Sequence, residues 1–158
     1  MTIKRTRAAE ALTDLILDVF RLNGLLLMAG DRMVARLGLT SSRWQVLGAV
    51  VDAERAQPVA WLARDLGGNR QNVQRIVNDL QKMGLVTLEV NPHHRRASLV
   101  VLTEKGRRTY DEASRVQAPW ANALSQDLAI KDIDTTRRVV AALRKRLELN
   151  GDPSKSIG

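Results

Sequence analysis

The 158-residue chain contains no cysteine. Disulfides, thiolate metal sites and thiol redox switches are therefore excluded. Aromatic residues are scarce, at three Trp, one Tyr and one Phe, so an aliphatic core is expected. Long apolar runs are missing as well. The longest, Gly24–Gly30 (GLLLMAG), falls far short of the ~20 residues a membrane-spanning helix needs. Lys4, Arg5, Arg7 and Glu10 precede an amphipathic stretch with no small-residue cleavage pattern, so a cytoplasmic protein is expected rather than a secreted one. No glycine-rich phosphate loop, serine elbow or HExxH pattern occurs, so neither an enzyme nor a cofactor is expected. The two histidines, His93 and His94, are adjacent on a turn signal and lack acidic or thiol partners nearby. Neighbouring side chains there point apart, and no metal site is expected.

Acidic residues are also in deficit. Twenty-five Lys and Arg against 17 Asp and Glu leave a net charge of +8 and a pI of about 10.8, which suits an anionic partner. Hydrophobic residues make up 44% of the chain, enough for one core with helical extensions at this length.

The stretch Pro58–Thr103 organises the rest. Val59, Leu62, Ala63 and Leu66 fall on one face of a helix that Gly67-Gly68 ends. Asn69 is placed to cap a second helix, whose buried stripe is Val73, Ile76, Val77, Leu80 and Met83. Gly84 stops it. Its outer face carries Arg70, Gln71, Gln74, Arg75, Asn78 and Lys82. Arginine can grip guanine with two hydrogen bonds, and Gln or Asn can do the same on adenine. A solvated helix face would also be polar. The next segment favours the DNA reading: Leu85–Val90 reads as a strand, Asn91-Pro92 as a turn, and Ser98–Leu102 as a returning strand. A two-stranded ribbon tipped by His93, His94, Arg95 and Arg96 is shaped to reach phosphates or a minor groove.

On both sides lie helices. Residues from Ala8 to about Leu37 form one long helix, apolar nearly all round at Leu25–Met28, which a monomer of this size cannot cover. Gly24 and Gly30 are positions where it could bend. Thr40 caps a helix to about Glu54 with Trp44, Leu47, Val50 and Val51 inward, and the following AERAQP is a loop. Trp61 falls beside the buried stripe of its helix; packing against a neighbouring helix is expected, with a phosphate or ligand contact as the alternative. Thr103 caps a helix to about Leu128 with Ala113, Val116, Trp120 and Leu124 as its stripe, kinked or split at Pro119. A last helix from about Asp132 carries a coiled-coil-like seam of Ile133, Thr136, Val140, Leu143 and Leu147. Residues 150–158 are expected to be a disordered tail.

The segments LTSSRWQVLGAVV, VAWLARDL, NRQNVQRIVNDLQKMGLV and RRASLVVLTEKGR together resemble the MarR family of winged helix-turn-helix transcriptional regulators. The resemblance runs from the first helix to the last, and KMGLV and LTEKG are its most specific parts. It implies a mainly α fold with a small β-wing. Residues 1–37 would be an N-terminal dimerisation helix, 38–103 the winged helix-turn-helix DNA-binding core, and 104–149 the C-terminal helices that complete the dimerisation region. It further implies a homodimer on a pseudo-palindromic operator in double-stranded DNA, acting as a repressor, less often an activator, and usually released by a small-molecule ligand or an oxidant. Asn69, Arg70, Gln71, Asn72, Gln74, Arg75 and Asn78 are the candidate DNA contacts of the helix, and Arg95 and Arg96 those of the wing. The family commonly has Asp-x-Arg at the wing tip; here His94 takes the Asp position. Family ligands lie between the dimer helices and the reading helix. Met28, Arg32, Arg43, Trp44 and Trp120 are the candidate lining, soft apolar surface with cations that suit a small anionic or aromatic effector. A winged helix used only for protein contacts is the competing class.

Overall fold

The computed structural model describes residues 4–149; the expected tail at 150–158 lies outside them. The chain divides into two compact units, Met1–Ala118 and Pro119–Gly158. The elements run α1 (Arg7–Val34), a 3-10 turn (Ala35–Leu37), α2 (Ser41–Asp52), β1 (Gln57–Pro58), α3 (Val59–Leu66), α4 (Arg70–Lys82), β2 (Val86–Glu89), β3 (Leu99–Leu102), α5 (Glu104–Leu124) and α6 (Ile130–Leu149). Helix starts follow side-chain caps: Thr6 accepts from Ala9 N–H at 3.1 Å and Thr40 from Arg43 N–H at 3.2 Å.

The core of the first unit is aliphatic. Val34, Leu39, Val46, Leu47, Leu62, Val77, Leu80, Leu85, Val86, Val100 and Ala113 are buried together, with Trp44 and Tyr110 packed against them. Helices α2, α3 and α4 close around Leu47 and Leu62, and a small antiparallel sheet covers their end. The sheet corrects the expectation of a two-stranded ribbon. Its order is β1-β3-β2, with Gln57 opposite Val100 and Pro58 opposite Leu99. The segment expected to be a loop thus supplies an edge strand, where a proline without an N–H is tolerated.

The LTEKG element locks the end of α4 to the start of α5. Thr103 Oγ1 accepts from Gly106 N–H at 3.0 Å and donates to Gly84 O at 2.7 Å. Lys105 Nζ donates to Met83 O at 2.8 Å, satisfying a carbonyl the helix leaves open. Gly106 is there because a Cβ would land on the Leu85 carbonyl.

Helix α1 buries only Gly30 and Val34. Ile16, Leu17, Val19, Phe20, Leu22, Leu25, Leu26 and Met28 are exposed. Gly30 serves a close approach: Ser41 at the start of α2 donates its hydroxyl to Leu27 O at 2.7 Å, and its N–H donates to Asp31 Oδ1 at 2.7 Å. Helix α5 continues unsplit through Pro119 and ends at Leu124, four residues short of the expected end. In the second unit α6 buries none of its residues, and Ile133, Val140 and Leu147 of the expected seam are exposed.

Candidate nucleic-acid interface

Helix α4 is set by its two ends and one stripe. Gly67 takes a left-handed φ of 63°, which a side chain would disfavour, and turns the chain out of α3. Asn69 Oδ1 accepts from Gln71 N–H at 2.8 Å and Asn72 N–H at 3.2 Å, the expected cap. Val73, Ile76, Val77 and Leu80 are buried, and Met83 packs at the margin of the core. Burying that stripe forces Arg70, Gln71, Gln74 and Asn78 outward. Gln74 donates to Asn78 Oδ1 at 3.0 Å and Arg75 to Asn72 Oδ1 at 2.8 Å. Both contacts lie on the exposed side of the helix, the first between two amides and the second from a guanidinium to an amide.

The wing comes directly after the helix. Strand β2 pairs with β3 from Val86–Leu102 to Glu89–Leu99. Asn91 is buried, and its Oδ1 accepts from His93 N–H at 3.0 Å, so the side chain itself closes the turn. His94 N–H donates to Asn91 O at 3.2 Å, and Ala97 N–H to His94 O at 3.0 Å. The tip is therefore held by backbone and an amide, without the carboxylate that His94 replaces.

A cleft of about 120 Å³ lies between α4 and the wing. Arg70 and Gln74 line it from α4, Arg96 and Ser98 from the wing, and Pro58 to Ala60 from the start of α3. Arg70, Gln74 and Arg96 thus meet at one surface. Arg75 points elsewhere. With Ile76 and Asp79 it lines a second cleft, of about 290 Å³, whose other walls are Leu27 and Asp31 of α1, the cap residue Thr40, and Ser42 and Arg43 of α2. Arg43 Nη2 lies 3.1 Å from Asp79 Oδ2, and both side chains are about one-third exposed or less. That pair ties α2 to α4. Sequence pattern alone does not single out Asp79, although it sits one turn after Arg75 and offers a carboxylate to a half-buried arginine.

The candidate effector residues are spread out. Arg43 lines the second cleft, Trp44 is part of the core margin, Met28 is exposed, and Arg32 bonds back to Met28 O at 3.3 Å. Trp120 belongs to the second unit. Trp61 corrects the expectation of helix packing. It is 52% exposed, with the Arg64 guanidinium 4.9 Å from its ring centroid. The reason is that α3 is only eight residues long and Val59, Leu62 and Ala63 fill its buried face.

Comparison with known proteins bears on the family and the fold. A sequence profile of the MarR family matches residues 37–97. The uncharacterized protein Rv2011c of Mycobacterium tuberculosis is 41% identical over 140 residues, covering 86% of this chain and 96% of that one. Two solved structures share the fold. The M. tuberculosis transcriptional regulator MOSR, solved in complex with DNA, is 22% identical with a TM-score of 0.72, covering 85% of this chain and 96% of its own. CouR from Rhodococcus jostii, solved with p-coumaroyl-CoA, is 21% identical with a TM-score of 0.74, covering 83% and 92%. A mainly α fold, a small wing and a matching family profile lead to one conclusion: this chain belongs to the MarR family of winged-helix transcriptional regulators.

Proposed function

We propose that the protein is a homodimeric, sequence-specific DNA-binding regulator that represses transcription until a small ligand releases it. One observation carries the DNA reading. Arg70 and Gln74 of α4 share a surface cleft with Arg96 of the wing, so base-reading and phosphate-gripping groups converge on one face. The DNA complex of MOSR supports the same use of the fold. Asn69, Gln71, Asn72 and Asn78 border the reading face, Arg95 adds charge at the wing, and Arg75, bonded to Asn72 beside the second cleft, would have to turn from that cleft to reach the DNA. Two copies of α4 would enter successive major grooves about one helical turn apart on a pseudo-palindrome.

The dimer is supported by apolar surface. Phe20, Leu22, Leu25 and Met28 on α1, and separately Val140 and Leu147 on α6, are too exposed for a stable monomer. Residues 1–37 and 104–149 act as dimerisation segments around the 38–103 core. Release is supported by the cleft that Arg43, Arg75 and Asp79 line. A small anionic or aromatic ligand there would compete with Asp79 for Arg43 and hold Arg75 in the cleft, away from the DNA. CouR, a relative in fold, is solved with p-coumaroyl-CoA bound. No helix among the described residues is long and apolar enough to cross a membrane, in keeping with a protein that works on DNA in the cytoplasm.

The test is selection of bound sequences from a genomic fragment pool, followed by mobility shift on the enriched site. Enrichment of a pseudo-palindrome supports the proposal. No enrichment, together with no shift of any DNA, favours a winged helix used for protein contacts.

A further inference from the structure

Trp61 has no role in the reading surface or in the Arg43–Asp79 cleft, yet half of a large side chain stands in solvent. Beside it opens a cleft of about 590 Å³, lined by Arg55 to Pro58, Trp61, Asn91 to His93 and Leu99. This volume is within the range of small-molecule sites, roughly 300–1,000 Å³. Its walls are built. Arg64 lies against the indole and steadies it on the surface of α3. The turn that buried Asn91 closes through His93 N–H is also part of the lining. Pro58, another lining residue, is held by pairing with Leu99.

The lining has a clear chemical bias. Ala56, Pro58, Trp61, Pro92 and Leu99 are apolar, and the ring of Trp61 offers a flat stacking surface. Arg55 supplies a cation, His93 an imidazole, and no carboxylate lines the cleft. We propose that this cleft binds a planar aromatic carboxylate, with its ring on Trp61 and its carboxylate on Arg55. Such a ligand also acts on the wing. Residues 91–93 form one wall, and three residues later Arg96 lines the cleft it shares with Arg70 and Gln74. Pro58 lines both clefts. A ligand wedged against Pro92 and His93 therefore changes where Arg95 and Arg96 stand. The binding step is independent of the proposed DNA-binding function; the effect on DNA rests on it.

The test uses the full chain and 2-naphthoate as the probe, measured by equilibrium dialysis without DNA. One saturable site is expected, with 2-naphthalenemethanol and cyclohexanecarboxylate both weaker. Trp61→Leu should weaken the probe by about tenfold or more and Trp61→Phe much less, since a ring still stacks. Arg55→Gln should abolish the preference for the acid over the alcohol. Both positions are exposed, so the variants keep the fold. Binding unchanged in Trp61→Leu, or no saturation at millimolar probe, overturns the site. In a separate arm, DNA affinity should shift on saturation with 2-naphthoate in the parent and not in Trp61→Leu; an equal response in both overturns the coupling. A parent that binds no DNA refutes the DNA-binding function, and the coupling with it, while the dialysis result stands by itself.

Discussion

Gly30→Ala should destabilise the protein, and Ser41→Ala should cancel most of that loss. A methyl group on Gly30 would land on Ser41 Oγ and sit 3.2 Å from Ser41 Cβ. The hydroxyl cannot turn away without giving up its 2.7 Å bond to Leu27 O, worth about 0.5–1.5 kcal/mol. Crowding in a packed junction adds ~1–3 kcal/mol, while replacing a mid-helix glycine by alanine returns ~0.8–1.0 kcal/mol. The single substitution should therefore cost about 1–3 kcal/mol net. Ser41→Ala alone loses the hydrogen bond, about 1 kcal/mol. In the double variant the clashing oxygen is gone and the alanine still favours the helix, so the total should stay near that of Ser41→Ala. The coupling is about 1 kcal/mol or more in the favourable direction. Urea unfolding at one fixed protomer concentration measures it, since the stability of the proposed dimer would depend on concentration. Strictly additive losses would show that α1 and α2 do not meet as described.

Three other contacts carry their own outcomes. Asn69→Ala should cost ~0.5–2 kcal/mol in thermal or urea unfolding, since Oδ1 caps two backbone amides of α4; Asn69→Asp should restore stability yet weaken DNA binding by adding charge near phosphate. Gly106→Ala should cost at least ~1–3 kcal/mol, because the methyl meets Leu85 O and lies 2.8 Å from Leu102 Cδ1, as urea unfolding will report. Arg96→Ala should lower the slope of log affinity against log salt by about 1, the signature of a lost phosphate contact; an unchanged slope would remove Arg96 from the backbone.

The parts of this fold that local chemistry dictates are legible in the sequence. Helix α3 begins and ends where its four-residue stripe and Gly67 require, and α4 begins where Asn69 can cap it. The parts that are not legible depend on distant partners. Strand β1 is two residues long and contains a proline; only its pairing with Leu99 and Val100, some forty residues on, makes it a strand. Pattern alone misplaces Trp61 because an eight-residue helix leaves the edge of its stripe ambiguous by one position. The candidate DNA contacts are accessible to sequence reasoning because a buried stripe dictates the opposite face. The meeting of Arg70 and Gln74 with Arg96, and of Arg43 with Asp79, needs the tertiary fold. For the effector candidates a helical pattern gives chemistry without location, and only Arg43 among those of the first unit is tied here to a cleft beside α4.

The central claim is that α4 reads bases. Its most direct test is affinity of the parent and Gln74→Ala for a selected site and for random-sequence DNA at one salt concentration. The account predicts that the parent prefers its site by ~10³ or more, and that Gln74→Ala loses ~1–3 kcal/mol on that site while binding random DNA as before. Equal losses on both DNAs, or a parent without preference, would contradict it.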